Sequence, residues 1–378
     1  MQETLFEDIV ADSPQTEGIK YTGSKLKLLP HILSLTKEIG ARTVFDGFSG
    51  STRVSQAFAK SGYTVFANDL AVYSKYLNTA YLLNNRNRNE YQELINHLNS
   101  LKPVEGWFTE NYGGHGDGVN SVQSDGLKKP WQRKNTMRLD AIRDEIDCLN
   151  LDEVTKSVAI TSLILALDKV DSTLGHFVSY LNDWSPRSYK DMKLDVPSVW
   201  KNTKQHTVLN YDIFEAMRKL PESVDLAYFD PPYGSNNEKM PPSRVRYASY
   251  YHVWTTICLN DKPTLFGKAK RRTDTSDMVA GSVFEDFRKG NSGRFVAIEA
   301  IERMIKEIRA EYVILSYSSG GRATASELND VMNSYGRVLK IEEIDYKKNV
   351  MATMRWTNAW IKDVEARNTE FLFLVEKR

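Results

Sequence analysis

The sequence predicts an α/β fold in which short β-rich runs alternate with turns and helical patterns. Three runs indicate this class most directly, because each ends in polar residues and leads into a turn or a helix, as parallel strands with crossovers do. The runs and the acids that follow them are 43–45 with Asp46, 64–67 with Asp69, and 226–229 with Asp230. Ligands of open α/β sheets bind outside the carboxyl ends of the strands, so we expect these acids to face one crevice.

Later segments predict three more strands and one long helix. Residues 312–316, 338–342 and 371–375 are β-rich, and we expect the last two to form an antiparallel edge pair. Residues 151–174 are mostly apolar and predict a long helix that packs on the sheet. The longest apolar run in it, 158–167, is about half of the roughly 20 residues that a membrane span requires, which indicates a buried helix.

Two stretches interrupt this pattern. Residues 86–150 combine Asn- and Arg-rich sequence, a glycine-rich stretch at 113–118 and an amphipathic pattern at 131–148, which predict a mostly helical insertion with a flexible loop. Residues 259–294 form a second interruption that contains a basic cluster. The segments assigned to the core are then 1–85, 151–258 and 295–378.

The composition is typical of a folded protein and indicates neither a disulfide framework nor a structural metal site. The chain has 378 residues, with 50 Lys+Arg against 49 Asp+Glu and two Cys. Cys148 and Cys258 are too few for a disulfide framework, and the six His show no metal-binding spacing, which fits a reducing cytoplasm. The acidic start at 1–18 lacks the apolar stretch of a secretory signal and predicts a loose tail. A net charge of +1 leaves nucleic-acid binding open, since a basic face can be offset by acid elsewhere.

A glycine-rich turn after the first predicted strand indicates a ligand site. Residues 46–51 read Asp-Gly-Phe-Ser-Gly-Ser and precede a helix expected to begin near Thr52, so the backbone can approach a ligand closely. Asp69 ends the next strand, where a carboxylate can accept both hydroxyls of a ribose. Because Asp46 would repel a pyrophosphate but suits a cationic nucleoside, we predict S-adenosylmethionine rather than a dinucleotide. An ordinary strand-to-helix turn with two surface acids is the alternative.

Asp230-Pro231-Pro232-Tyr233 is the most specific motif in the chain. The prolines end the strand and, because they lack N–H groups, leave carbonyl oxygens to point into a crevice. The Asp230 carboxylate and the Pro231 carbonyl can then accept two hydrogen bonds from an exocyclic amino group, which directs the nitrogen lone pair outward. The face of Tyr233 can stack on a planar base taken out of a duplex. A rigid turn with a packed tyrosine is the alternative.

Together these motifs resemble the S-adenosylmethionine-dependent adenine-N6 DNA methyltransferases in which the cofactor motifs precede DPPY and recognition sequence lies between them. The matching blocks are scattered between Tyr21 and Gly321, and residues 84–150 stay unmatched. The resemblance implies a Rossmann-like methyltransferase fold with a mixed seven-stranded sheet and helices on both faces. Gly234 replaces the Asn that often follows DPPY in that family, and no required group is lost.

The resemblance also implies roles for individual residues. The implied catalytic residues are Asp230, Pro231, Pro232 and Tyr233. The implied cofactor-binding residues are Tyr21, Lys25, Asp46, Gly47, Phe48, Ser49, Gly50, Asp69, Asp212 and Asp230. Among these, Asp212 would bind the adenine amino group of the cofactor. Residues 249–254 resemble a Tyr-His stretch that follows DPPY in part of the family, and 316–319 would be a later strand-end loop near the target base.

Clusters of basic residues predict contacts with the phosphates of double-stranded DNA. The candidates are Lys268, Lys270, Arg271 and Arg272, with Arg244, Arg246 and Arg322 as a further rim, and Arg133 and Lys134 on the helix of the insertion. A basic helix in an insertion could also enter the major groove. A solvated surface is the alternative for each cluster, and which segment contacts the bases stays open.

We therefore expect an enzyme that moves a methyl group from S-adenosylmethionine to adenine N6 in a specific duplex sequence, after the base leaves the stack. A direct in-line transfer needs neither a covalent intermediate nor a metal. The expected setting is a bacterial or phage-type cytoplasm, with a restriction endonuclease acting separately. The alternatives are a methyltransferase for RNA adenine, cytosine N4 or a protein amide, and a non-catalytic nucleic-acid-binding protein, against which the intact Asp46, Asp69 and Asp230 argue.

Overall fold

A computed structural model of the chain describes residues 13–116, 118–221, 223–234, 246–276, 279–286, 288–346 and 368–378. Most of the expected N-terminal tail, Asp117 of the glycine-rich stretch and Arg244 of the expected basic rim lie outside these residues. The chain divides into two compact units. Unit 1 comprises Met1–Pro30, Ser49–Tyr211 and Tyr247–Ala280, and unit 2 comprises His31–Phe48, Asp212–Arg246 and Gly281–Arg378.

Helices and strands alternate along the described chain, as the α/β prediction requires. The helices are α1 (Leu29–Glu38), α2 (Arg53–Lys60), α3 (Val72–Leu82), α4 (Gln92–Ser100), α5 (Trp107–Tyr112), α6 (Arg133–Cys148), α7 (Glu153–Lys169), α8 (Ile213–Lys219), α9 (Tyr247–Tyr250), α10 (His252–Leu259), α11 (Val296–Glu307) and α12 (Ala325–Tyr335). The strands are β1 (Thr43–Asp46), β2 (Thr64–Asn68), β3 (Gly113–Gly114), β4 (Trp131–Gln132), β5 (Thr207–Leu209), β6 (Val224–Phe229), β7 (Leu265–Phe266), β8 (Arg271–Arg272), β9 (Ala310–Ser318), β10 (Gly336–Tyr346) and β11 (Asn368–Lys377).

Seven strands make up the mixed sheet of this α/β fold, and five of them belong to unit 2 in the order β10-β11-β9-β6-β1. β1, β6 and β9 run parallel, whereas β11 runs antiparallel to both β9 and β10. Val224 and 226–229 on β6 are buried, as expected for a central parallel strand covered on both faces. The predicted antiparallel pair near the C-terminus is confirmed. Most of α1, from His31 onward, and helices α8, α11 and α12 also belong to this unit.

Unit 1 contains the parallel pair β2 and β5 together with a helical core. The long apolar segment forms α7, whose residues 157–164 are buried almost completely, so the predicted buried helix is confirmed. It ends at Lys169 and not at Leu174, because Asp171 binds Lys20 and Arg187 while the Ser172 amide donates to the Pro130 carbonyl. Within the described ranges, no helix is long and apolar enough to cross a membrane.

The predicted insertion shares its hydrophobic core with the rest of unit 1. Phe108 and Ile142 from the insertion lie in one buried cluster with the apolar residues of α7 and α10. Trp131 packs against Phe177 and Trp254 at ring-centroid distances of 5.3 and 5.9 Å. Residues 86–150 are therefore held to the surrounding helices by packing as well as by the chain connections.

The expectation of a flexible glycine loop is wrong for its first residues. Gly113 and Gly114 form β3, which pairs in parallel with β4. A Cβ at Gly114 would lie 2.9 Å from the Cβ of Lys129, and one at Gly113 would lie 2.7 Å from the Thr109 carbonyl oxygen. These glycines therefore permit close packing of the chain, which composition alone does not distinguish from flexibility.

Candidate functional site

Two of the predicted acids lie at the same edge of the sheet in unit 2. Asp46 is the last residue of β1 and is completely buried, and its register partner on β6 is Tyr228. The Gly47 amide donates to the Tyr228 carbonyl at 3.0 Å, and Asp230 follows directly after the end of β6. The carboxyl ends of two adjacent parallel strands thus bring Asp46 and Asp230 to one edge, as the strand pattern predicts.

The turn after β1 is shaped by aromatic packing. A Cβ at Gly47 would lie 2.7 Å from the Phe229 ring and 2.9 Å from Ile213 Cδ1, so there is no room for a side chain there. The half-buried ring of Phe48 packs edge-on against Phe284 at 5.3 Å and against Phe229 at 6.3 Å. Gly47 therefore allows the chain to turn tightly over the end of β6.

The rest of the glycine motif belongs to unit 1, where it is bonded to the end of β2. The Ser49 amide donates to the Asn68 carbonyl at 2.9 Å, and the Gly50 amide donates to Asp69 Oδ2 at 2.7 Å. Asp69 Oδ1 accepts a hydrogen bond from the Ala71 amide at 2.8 Å. Burial raises the pKa of Asp69. A carboxylate oxygen can accept a second hydrogen bond in addition to one from a backbone amide.

The backbone of this turn has left-handed conformations. Gly50 has φ +49° and Thr52, just before α2, has φ +67°. Thr52 is β-branched and fully buried, and its hydroxyl accepts a hydrogen bond from Gln56 Nε2 at 2.8 Å. Strained backbone of this kind persists where the surrounding structure imposes it and is frequent at ligand sites. The helix start predicted near Thr52 is confirmed.

Tyr21, the first residue of the N-terminal motif, packs directly on the glycine turn. A Cβ at Gly50 would lie 3.1 Å from the Tyr21 ring, a tight contact, and the positive φ of Gly50 also favours glycine. The Tyr21 ring also stacks on the Tyr251 ring at a centroid distance of 4.6 Å and packs against the Tyr247 ring at 5.4 Å. Lys25 is also buried, with 5% of its surface exposed.

The same two tyrosines also bind the backbone next to Tyr21. The Thr22 amide donates to the Tyr251 hydroxyl at 2.7 Å, and the Tyr247 hydroxyl donates to the Thr22 carbonyl at 3.2 Å. Sequence comparison with the family suggested residues 249–254 as a motif but assigned them no partner. The structure shows that this segment holds the N-terminal motif in unit 1, a contact that only the aromatic content of 247–251 could have signalled.

Asp212 has a local structural role in unit 2. It is the N-cap of α8, and its side chain accepts a hydrogen bond from the Phe214 amide at 3.0 Å. A capping aspartate stabilises a helix start by about 1 kcal/mol without any ligand. The structure therefore accounts for this acid independently of the cofactor role that the resemblance implied.

The Asp230–Tyr233 motif is held by β9 and the loop after it in unit 2. The Tyr233 ring packs against Tyr317 at 5.2 Å, and the Arg322 amide donates to the Tyr233 carbonyl at 3.0 Å. The expected loop at 316–319 is corrected, because Ser316 to Ser318 belong to β9. The Ser316 hydroxyl is buried and donates to Glu370 of the neighbouring strand β11 at 2.9 Å, so its side chain is already paired within the protein.

The basic cluster after α10 is partly structural. Arg272 is 4% exposed and is bonded to Asp261 and Asp274, each at 2.7 Å. These carboxylates raise the pKa of the Arg272 guanidinium further above its usual value. Arg271 donates to the Thr275 carbonyl at 2.5 Å and lies over the Phe266 ring. Both arginines therefore form contacts within and next to the β7–β8 hairpin, which stabilise its structure.

The remaining basic candidates lie at or near the surface. Lys268 is exposed and Lys270 half-buried at the tip of the hairpin. On α6, Arg133 binds Glu105 at 2.5 Å, and Lys134 binds Asp191 at 2.6 Å. Exposed ion pairs of this kind are weak, so these two side chains can exchange their partners for phosphates at small cost.

Comparison with known proteins assigns a family to these motifs. The model of the D12 class N6 adenine-specific DNA methyltransferases matches residues 21–313. The chain is 27% identical over 352 residues to Modification methylase StsI of Streptococcus sanguinis and 26% identical over 344 residues to Modification methylase LlaI of Lactococcus lactis subsp. lactis. Each alignment covers 87% of this chain but only 48% and 51% of the relatives, so the chain spans about half their length. Type II methyltransferase M.NlaIII of Neisseria lactamica is 24% identical over 84% of this chain and 89% of its own length.

Proposed function

The chain belongs to the D12 class of N6 adenine-specific DNA methyltransferases, and from that premise we propose that it methylates adenine N6 within a specific sequence of duplex DNA. The observation that carries the proposal is the position of Asp230 in unit 2. It follows a buried parallel strand at the same sheet edge as Asp46, and the carbonyl of Tyr233 at the end of the motif accepts a hydrogen bond from the Arg322 amide in the loop after β9. An oriented acceptor next to an aromatic face is what an exocyclic amino group requires.

The residues present fit S-adenosylmethionine as the methyl donor. Glycine at positions 47 and 50 keeps the turn after β1 tight, because a Cβ at either would meet a packed ring. The flanking groups are carboxylates, which suit the ammonium and sulfonium charges of this cofactor and disfavour a pyrophosphate. When bound, S-adenosylmethionine supplies an electrophilic methyl group. We assign the ribose hydroxyls to Asp69, the methionine part to Asp46, and the supporting contacts to Tyr21, Lys25, Phe48 and Ser49.

In the proposed mechanism, this chain positions the target base and exposes its lone pair. The Asp230 carboxylate and the Pro231 carbonyl accept the two amino hydrogens of adenine, which lowers delocalisation of the nitrogen lone pair into the ring. Tyr233 stacks on the base after it has left the duplex. Proton loss follows methylation, because the nitrogen becomes acidic only then, so Asp230 need not act as a base beforehand.

Double-stranded DNA is the proposed substrate, and Lys268, Lys270, Arg133 and Lys134 are the proposed phosphate contacts. We further propose that the protein acts in the cytoplasm as the modification enzyme of a restriction-modification system, with a separate endonuclease. The proposal of such a system draws on the relatives, which are named as modification methylases.

A product analysis tests the proposed function. The full chain is incubated with tritiated S-adenosylmethionine and plasmid DNA from a host without DNA methyltransferases, and the labelled nucleosides are separated after digestion. We expect the label in N6-methyladenine alone, at a limited number of sequence positions. Label in N4-methylcytosine, or label in RNA but not in duplex DNA, would contradict the proposed substrate.

A further inference from the structure

We propose that Tyr317, Gly321 and Arg322 form a clamp that positions Tyr233 for stacking on the target base. The Tyr233 clamp is defined by these three residues, all in unit 2 together with Tyr233. The inference rests on the proposed function, because stacking on an extruded base is the role assigned to Tyr233 there. In this assignment Tyr317 is a positioning residue and does not itself contact the base.

The first contact of the clamp is between two aromatic rings. The centroids of Tyr233 and Tyr317 are 5.2 Å apart and their planes are inclined by 55°. Tyr317 is 1% exposed, and its hydroxyl accepts a hydrogen bond from the Ala323 amide at 3.1 Å. One ring is therefore fixed in the protein interior, while the other, on Tyr233, stays half-buried and keeps part of its surface for a ligand.

The second contact is made by a glycine without room for a side chain. A Cβ at Gly321 would lie 2.5 Å and 2.8 Å from atoms of the Tyr317 ring, and 3.0 Å from the Cβ of Tyr233. Gly321 is not among the glycines with positive φ, so space and not backbone conformation demands glycine here. Its backbone packs against both tyrosines at once and sets the distance between them.

The third contact joins the catalytic loop to the sheet through the backbone. The Arg322 amide donates to the Tyr233 carbonyl at 3.0 Å, and the Gly321 amide donates to the Ser318 carbonyl at 2.8 Å. The Ser319 amide donates to the Thr369 carbonyl at 2.8 Å, which fastens the same loop to β11. Tyr233 is therefore positioned by the loop after β9, which β11 in turn holds in place.

The variant Gly321→Ala tests the clamp, because the added methyl group must displace a tyrosine ring. We expect kcat for methylation of unmethylated plasmid DNA to fall about tenfold to a hundredfold, since displacements of about 1 Å in an active site have such effects. The KM for S-adenosylmethionine is expected to change less than about twofold, because no clamp residue is assigned to the cofactor. The matched control is Gly118→Ala, where an added Cβ meets nothing within 4 Å, and we expect wild-type activity from it.

A double-mutant cycle separates positioning from a merely structural role. If Gly321 acts through Tyr233, Gly321→Ala should lower activity no further in a protein that already carries Tyr233→Ala. Independent, multiplying losses would overturn the clamp. If the Gly321→Ala protein does not fold, Tyr317→Leu is the second test of the clamp, because it opens space where Gly321→Ala fills it. We expect its loss of activity to be non-additive with that of Tyr233→Ala in the same way. Tyr317→Phe keeps the aromatic ring, and we expect this variant to retain most of the wild-type activity that Tyr317→Leu loses.

Amide hydrogen exchange distinguishes failure of the clamp from failure of the proposed function. In the wild-type protein without DNA, the Arg322 amide is hydrogen-bonded to Tyr233 and should exchange slowly. Gly321→Ala should increase its exchange rate at least about tenfold while peptides from unit 1 stay unchanged. Unchanged exchange would overturn the clamp whatever the enzyme methylates. A base other than adenine in the product analysis would overturn the proposed function and leave the exchange result valid.

Discussion

At the scale of single residues, Asp230 is the group whose loss should affect transfer and spare most of the fold. It is half-buried at the end of β6, and its proposed partner is the amino group of the target base. We expect Asp230→Ala to lower the rate of methyl transfer on the order of a thousandfold, because an oriented acceptor is lost where charge develops. Single-turnover transfer of tritium from labelled cofactor to duplex DNA that carries the unmethylated target site measures this rate.

Tyr233→Phe is the matched comparison, because it keeps the aromatic face and removes the hydroxyl alone. It should retain most of the activity, and both variants should bind S-adenosylmethionine within about tenfold of the wild type in calorimetry. A near wild-type transfer rate for Asp230→Ala would contradict the proposed mechanism even though the family assignment stands.

Residue patterns predict the acids of the site and miss the side chains that hold it. Asp46, Asp69 and Asp230 could be identified because a polar residue after an apolar run is visible in the sequence, and each lies at the strand end expected for it. The contacts of Tyr21 with Tyr251, and of Tyr233 with Tyr317, join positions far apart in the chain. Ring packing between distant segments depends on the tertiary fold and has no local sequence pattern.

At the scale of elements, periodicity predicts the existence of a helix better than its end. The helix predicted at 151–174 stops at Lys169, and only Val170 and Leu174 are apolar among the five residues that follow. The residues that follow form hydrogen bonds and ion pairs with Lys20, Pro130 and Arg187, none of which is near in sequence. The helix therefore ends where tertiary hydrogen bonds and ion pairs replace those of the helix, at a point where the sequence also turns polar.

The β7–β8 hairpin carries four predicted DNA-binding residues, and the structure leaves only its two lysines, Lys268 and Lys270, as proposed phosphate contacts. Its tip is anchored by two buried phenols, since Tyr112 donates to the Lys270 carbonyl at 2.8 Å and Tyr180 to the Ala269 carbonyl at 2.9 Å. We expect the double change Lys268→Ala and Lys270→Ala to flatten the slope of log affinity against log salt by up to about two units, one for each phosphate that the hairpin no longer neutralises. Fluorescence anisotropy with labelled duplex DNA over a salt series measures the slope.

Arg272→Met provides the contrast within the same hairpin. It removes a buried guanidinium that donates to two carboxylates, which are themselves 37% and 56% exposed. The loss of such charged hydrogen bonds typically costs about 1.5 to 3 kcal/mol of stability. Thermal unfolding should therefore shift to lower temperature for Arg272→Met and stay unchanged for the lysine variant. A salt slope that the two lysine changes leave untouched would show that the hairpin is a solvated surface.

At the scale of the whole molecule, the sequence predicts the strand elements more fully than the division into units. The sheet strands follow from short β-rich runs that end in polar residues. The grouping of 86–150 with α3 and α7 depends instead on buried side chains such as Phe108 and Trp131, which lie in one cluster with the apolar residues of α10. A stretch that departs from the family pattern is easily interpreted as a separate insertion. Its apolar residues are nevertheless part of the main core of unit 1.

An ion network in unit 1 links the start of the described chain to that core and makes a pH-dependent contribution to stability. The Lys20 amide donates to Asp168 Oδ2 at 3.0 Å, and the Lys20 ammonium and the Arg187 guanidinium both bind Asp171. Burial raises the pKa of Asp168 to about 6. Since an unfolded aspartate has a pKa of about 3.9, the folded protein binds this proton more tightly than the unfolded chain does. The stabilisation from Asp168 is therefore complete below about pH 4 and is lost as the pH rises through about 6.

Asp168→Asn removes this titration while an amide oxygen can still accept the Lys20 hydrogen bond. We expect the free energy of unfolding of the variant to depend less on pH between about 4 and 6 than that of the wild type, by at most about 3 kcal/mol over the interval. Urea denaturation followed by circular dichroism at several pH values measures the difference. The control is Asp195→Asn, because Asp195 is 61% exposed and forms a surface pair with Lys169, and its profile should follow the wild type. If Asp168→Asn reproduced the wild-type slope, the proton would be bound elsewhere, and the network around Lys20 would stabilise unit 1 equally at both ends of the interval.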